Sequence, residues 1–227
     1  MTIMEHLQDL RRALIISALA WVVAAAVMWF FSNDILSFMQ HRAALKHLVY
    51  LTPTGGFTIR FQVALYAGTL VACPIIFWQL WWFVAPGLHV REKRVILPLV
   101  FATTFFFLVG VGFAFWAMPL FFHVLKSFSP PGFEYIANAT DLLSFMLAIC
   151  IAFGIVFELP VVLWTLGMLG IISSAWLWKQ RLYWVIGLGV IANLMTPGFD
   201  PFTPLIVFIP LVFLFFGTLL LLKISGK

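Results

Sequence analysis

Long apolar runs separated by short charged stretches dominate the chain, and the runs have the length that a bilayer demands. A helix rises about 1.5 Å per residue, so a hydrocarbon core of about 30 Å takes roughly 20 mostly apolar residues to cross. Six such runs lie between charges, at residues 13–31, 61–82, 96–116, 142–169, 182–195 and 204–222. The predicted fold class is all-α: a polytopic integral membrane protein with six transmembrane helices, forming a single membrane domain over residues 1–227. The fifth run is short for a full crossing, and Pro197, Pro201 and Pro204 keep the segment after it out of helix. That hairpin either thins the membrane locally or is re-entrant. The connections 32–60 and 117–141 are long and carry turn-rich stretches, Thr52-Pro53-Thr54-Gly55-Gly56 and Ser129-Pro130-Pro131-Gly132, which predict a folded cap.

Composition turns this pattern into a statement about solvent. Of the 227 residues, 64% are hydrophobic and 9% charged, against about a quarter charged in an ordinary soluble domain. A water-facing exterior cannot be built from that, whereas lipid accepts apolar side chains on the outside of every helix. Many of the 26 Phe and 10 Trp residues sit near the ends of the runs, where amphipathic rings settle at headgroup level. Cys73 and Cys150 both fall inside apolar runs, where thiols act as small hydrophobes, and no structural disulfide is predicted.

The net charge of +5 does not point to nucleic acid, because the 13 Lys and Arg residues sit in small groups between the runs. Their distribution reports orientation instead. With the N-terminus inside, Arg11, Arg12, Arg91, Lys93, Arg94, Lys179, Arg181, Lys223 and Lys227 are cytoplasmic, against Arg42, Lys46, Arg60 and Lys126 outside. This bias predicts both termini in the cytoplasm. The first run also resembles a signal peptide, but it exceeds a usual apolar core of about 7–15 residues and is read as a retained helix.

With only eight acidic residues in the chain, each can be weighed. Glu158 lies well inside a run, before Pro160. A carboxylate at bilayer depth costs roughly 2.5–3.5 kcal/mol on an insertion scale, so it faces a partner or water, or is a hydrogen-bonded structural residue. Pro160 bends the helix and frees backbone carbonyls nearby. Between the second and third runs, Phe83-Val84-Ala85-Pro86-Gly87-Leu88-His89-Val90-Arg91-Glu92-Lys93-Arg94 places one carboxylate among three cations, which by itself also reads as an ordinary positive-inside loop. In Glu5-His6-Leu7-Gln8-Asp9-Leu10-Arg11-Arg12, the leucines at i and i+3 suit a short amphipathic helix on the membrane surface, with Asp9 facing the cytoplasm. The chain has no Gly-rich Lys-Ser/Thr loop for ATP, and no cofactor or metal site is predicted.

Taken in order, these segments resemble the TatC family of twin-arginine translocases over essentially the whole chain. His6-Leu7-x-Asp9-Leu10-Arg11 is similar to the family's N-terminal motif, with Asp in place of Glu. Residues 74–79 followed by Phe83-x-x-Pro86-Gly87-Leu88-x-x-x-Glu92-Lys93-Arg94 resemble its most diagnostic stretch. Phe153-Gly154-x-x-Phe157-Glu158-x-Pro160 resembles the fourth-helix motif, and Thr196-Pro197 with Asp200 the turn before the last helix. Phe216 departs from the family, standing where many relatives have Glu.

The resemblance implies a concave bundle with short fifth and sixth helices and both termini inside. The function it implies is a non-enzymatic core receptor, driven by the proton-motive force, that binds twin-arginine signal peptides of folded cargo. A planar guanidinium binds a carboxylate through two parallel hydrogen bonds, so two adjacent arginines suit two separated carboxylates, Asp9 and Glu92. Phe83 would pack against the signal, and His6, Arg11, Arg91 and Arg94 complete the implied site. Glu158, Thr196 and Asp200 form the implied polar site for single-span TatA/TatB-type subunits, and Pro53 belongs to the cap. Self-association and residence in the cytoplasmic (inner) membrane of a bacterium or archaeon are further expectations. A small proton-coupled solute transporter built on Glu158 and an intramembrane scaffold without a ligand are the competing readings.

Overall fold

The computed structural model describes residues 3–42, 48–84, 96–127, 137–195 and 203–226. In order, the elements are α1 (Ile3–Arg42), β1 (Leu48–Val49), α2 (Gly55–Val84), α3 (Ile96–Ser127), β2 (Ala137–Asn138), α4 (Ala139–Val156), α5 (Leu159–Met168), α6 (Ser174–Lys179), α7 (Arg181–Met195) and α8 (Thr203–Ile224). Among the described residues five stretches are long and apolar enough to cross a membrane: Met4–Arg42, Gly55–Val84, Ile96–Val124, Ala139–Met168 and Pro204–Ile224. Arg181–Leu194 is a shorter apolar helix. The six predicted runs overlap these six segments, and the chain is a multi-pass α-helical membrane protein.

Several helices outlast their apolar runs. The N-terminal leucines do not form a separate surface helix; residues 3–12 are the opening turns of α1. The reason is local, since no Gly or Pro occurs before Pro53 and nothing interrupts a helix rich in Ala and Leu. Helix also claims part of both predicted connections, because α1 runs on to Arg42 and α3 to Ser127. Pro74, Pro119 and Pro210 lie inside α2, α3 and α8, as membrane helices tolerate when neighbouring groups re-satisfy the freed carbonyls.

The contacts gather into two units, 1–108 with 137–147, and 109–136 with 148–227. In the first unit α1 packs along α2. A Cβ added at Gly68 would lie 2.7 Å from the Ala25 backbone, so the two helices touch through small residues. Trp21 Nε1 fastens the same seam by donating to Thr69 Oγ1 at 2.9 Å and the Leu65 carbonyl at 3.2 Å. Trp81 Nε1 donates to Thr103 Oγ1 at 3.4 Å, tying the end of α2 to the start of α3. Ser144 of α4 donates to Gln62 Oε1 of α2. The connections after α1 and before α4 meet in a two-residue parallel ladder, Leu48 opposite Ala137 and Val49 opposite Asn138.

In the second unit α8 packs against α5, α6 and α7. Its fully buried Leu211, Phe215 and Leu222 form a spine. Leu222 reaches so close to α5 that a Cβ at Gly167 would strike its Cδ2, so a side chain there would push the leucine aside. Gly170, at φ +71°, ends α5 with a left-handed turn. Its N–H donates to the Gly167 carbonyl and that of Ile171 to the Leu166 carbonyl, both at 3.0 Å, which satisfies the open end of the helix.

Candidate functional site

Four of the residues named from the sequence lie where α1 begins and α2 ends. His6 and Phe83 stack face to face, with ring centroids 4.4 Å apart and planes 17° from parallel. Asp9 is three residues beyond His6, about 60° around an α-helix, so its carboxylate shares the face that meets Phe83. Arg11, five residues beyond His6, is about 140° around the helix and leaves by another side. Asp9 and Arg11 are exposed, while Phe83 is half-buried. The arrangement is an aromatic platform flanked by an accessible carboxylate, chemistry that suits a guanidinium: the ring faces attract the cation and the carboxylate accepts its N–H groups.

Arg91, Glu92 and Arg94 fall in the 85–95 segment, outside the described residues. That segment leaves α2 directly after Phe83 and Val84 and returns at Ile96, and both helix ends belong to the first unit. Thr196 and Asp200 also lie outside the described residues. Pro53 is exposed within the turn that opens α2, where the Gly55 N–H donates to the Thr52 carbonyl at 3.1 Å. Proline in the second position of such a turn pre-sets its φ.

Glu158 occupies the break between α4 and α5. The helix interrupts one turn early, at Phe157 and Glu158, because Pro160 has no N–H for the Val156 carbonyl and sits in the first turn of α5, where its fixed φ is tolerated. Both Glu158 carboxylate oxygens are buried and have no hydrogen-bond partner among the described residues. The motif residues around it are packing residues: Phe113 of α3 meets Phe153 at 5.5 Å and Phe157 at 5.6 Å. A Cβ at Gly110 would lie 2.5 Å from the Phe153 carbonyl oxygen, so α3 and α4 are in near-backbone contact beside the break.

Sequence reasoning did not single out Gln62, Ser144, Trp81 or Thr103. Each is a polar or polar-tipped residue at or inside an apolar run, and that signal identifies them once Glu158 is not the only group considered. Arg60, an outside charge by sequence, has a structural role as well. It donates from Nε to the buried Ser32 Oγ at 3.2 Å and lies 5.0 Å over the Trp29 ring.

The class these features define is a multi-pass helical membrane protein with an accessible carboxylate beside an aromatic stack where α1 begins and α2 ends, and a buried carboxylate at the break between α4 and α5. The family model "Sec-independent protein translocase protein (TatC)" matches residues 5–210, and the chain belongs to the TatC family. It is 34% identical to the Sec-independent protein translocase protein TatC of Koribacter versatilis, over 95% of this chain and 82% of that one. The corresponding figures for the Carboxydothermus hydrogenoformans protein of the same name are 35%, 95% and 90%. A crystal structure of a twin-arginine translocase receptor, TatC, superposes with a TM-score of 0.86 at 29% identity, covering 96% of this chain and 99% of that one. The fold is therefore that of known TatC proteins, and the chain is a protein-translocase component rather than an enzyme.

Proposed function

We propose that this chain is the core receptor subunit of a twin-arginine translocation system. It binds the twin-arginine signal peptides of folded cargo on a face made by His6, Asp9 and Phe83 together with Arg91, Glu92 and Arg94 of the following segment, with Arg11 beside it on another side of α1. The observation that carries this reading is the His6–Phe83 stack with Asp9 on the same helix face. Support also comes from relatives named as Sec-independent translocase proteins and solved neighbours named as twin-arginine translocase receptors. One arginine of the signal pairs with Asp9 against the aromatic platform, and the other with Glu92.

Assembly follows inside the membrane. Glu158, Thr196 and Asp200 receive single-span TatA/TatB-type subunits, and further copies of the chain associate around them. The buried, unpaired Glu158 carboxylate supports this, since a polar side chain at bilayer depth gains most from a partner that supplies a donor. The Lys and Arg distribution supports both termini in the cytoplasm, and the bacterial sources of the relatives support residence in a bacterial or archaeal inner membrane. The proton-motive force, which the family resemblance implies, is the energy source of this reading, and the sequence holds no Gly-rich ATP loop.

The test is binding of a fluorescent signal peptide to the purified protein, comparing an Arg-Arg peptide with its Lys-Lys counterpart. A charge-assisted bidentate pair is worth about 1.5–3 kcal/mol, so the expected preference for Arg-Arg is tenfold or more and falls in Asp9→Asn and Glu92→Ala. Equal, weak binding of both peptides would reject the receptor reading. Solute flux through liposomes holding this protein alone would then favour the transporter.

A further inference from the structure

The end of the second unit that carries α6 and the last turn of α8 holds a groove that the receptor reading does not use. It has a volume of about 440 Å³, and its walls include Trp178 of α6 and Phe216, Leu219 and Leu220 of α8, with Lys223 at its edge. Trp178 and Phe216 meet edge to face at 6.4 Å. The Arg181 guanidinium covers the other part of the Trp178 ring at 4.6 Å and donates from Nη1 to the Trp178 carbonyl at 2.8 Å. Lys179, Arg181 and Lys223 are all exposed at this end.

Charge at this end is one-sided. From Leu159 onward the only acidic residue in the sequence is Asp200. It precedes α8 in the chain, while Lys223 lies in the last turn of that helix, about 30 Å along the axis from its first residue. Lys223 thus edges the apolar slot, Arg181 lies over its Trp178 wall and Lys179 follows Trp178 in α6, with no carboxylate in α5, α6, α7 or α8 to neutralise them.

We infer that the groove between α6 and α8 is a binding site for an anionic phospholipid. One acyl chain lies in the slot against Trp178, Phe216 and Leu220, and the phosphate is held at its mouth by Lys223 with Lys179 and Arg181. Lys and Arg snorkel their cationic heads to headgroup depth while their stems cover apolar surface, and each cation near an anionic surface contributes about fivefold in affinity. Zwitterionic lipid fills the slot equally well but gains nothing from the cations. This inference is independent of the signal-peptide reading, which rests on the other unit.

The experiment is native mass spectrometry of the delipidated full chain, titrated with phosphatidylglycerol and with phosphatidylcholine of identical acyl chains. The expected result is tighter binding of phosphatidylglycerol, by about tenfold or more. Lys223→Gln should lower that affinity about fivefold while leaving phosphatidylcholine unchanged, and Leu220→Trp, which fills the slot, should weaken both lipids. Melting curves matching the wild type establish that both variants fold. Equal affinity for the two lipids would overturn the inference. So would full retention of phosphatidylglycerol by Leu220→Trp, which would assign the effect to diffuse surface charge. Competition by glycerol 3-phosphate as effective as the whole lipid would mark a bare anion site, and displacement of bound lipid by a single-span peptide would assign the groove to a protein partner. Either result would also overturn it.

Discussion

Phe83 shares its ring face with His6, and that contact determines what its loss does. An offset aromatic pair contributes about 0.5–1.5 kcal/mol beyond the area it buries, so Phe83→Ala removes both the platform for a guanidinium and the clasp holding the start of α1 to the end of α2. Phe83→Tyr keeps both. The expected outcome is a several-fold loss of Arg-Arg peptide binding with slightly lowered melting in Phe83→Ala, and near wild-type binding and melting in Phe83→Tyr. Peptide titrations on the purified variants read the binding directly. Glu158 makes the opposite kind of case. Its oxygens are buried without a partner among the described residues, so the neutral amide of Glu158→Gln removes a desolvation cost and leaves the fold at least as stable. The same change should weaken cross-linking to a single-span partner subunit, and a lowered melting temperature would identify Glu158 as a structural residue instead. His6, Asp9, Phe83 and Glu158 were legible in the sequence because each is a polar or aromatic exception in a motif. The stack was not, because ring orientation is set by how α1 and α2 pack, which no spacing along one strand of sequence encodes.

Elements were legible for a simpler reason, and illegible at their ends for the same one. Apolar length reports what lipid must cover, whereas a helix stops only where backbone geometry stops it. The run 13–31 therefore lies inside a helix of 40 residues. The short α6 was hidden in the connection between the fourth and fifth runs, and the Ser173 side chain, accepting from the Trp176 N–H at 3.2 Å, marks its start. Close packing between helices is likewise invisible until they are placed. Within α3, Gly110 and Gly112 look interchangeable in sequence, yet a Cβ on the first would strike the Phe153 carbonyl, while one on the second meets nothing within 4 Å. Gly110→Ala should thus cost about 1–3 kcal/mol through forced separation of α3 and α4. Gly112→Ala should be neutral or stabilising by up to about 1 kcal/mol through helix propensity. Paired melting curves in one detergent decide between these signs. A similar loss for both variants would mean that the close approach at Gly110 is not what holds the helices.

At the scale of the whole molecule, the spans differ in length by more than a bilayer can ignore. The 40 residues of α1 and 30 of α2 correspond to about 60 and 45 Å. The 15 residues of α7 correspond to about 22 Å. Excess length is cheap, because helix ends project into water or tilt, but a deficit must be met by thinning the lipid or drawing polar ends inward. Against a core of about 30 Å, α7 falls short by about 8 Å, and at fractions of a kcal/mol per Å the mismatch amounts to a few kcal/mol. This separates the two options that the sequence left open for the fifth run only through experiment. If α7 spans by thinning the membrane, its amides should exchange hydrogen faster in nanodiscs of long-chain phosphatidylcholine than of short-chain, while α1 and α2 amides stay unchanged. A re-entrant α7 never meets the far leaflet, so its exchange would be the same at both thicknesses. Mass-spectrometric exchange resolved to peptides from residues 181–195 distinguishes them, and a change shared by every helix would show that bilayer thickness acts on the fold generally rather than through this short span.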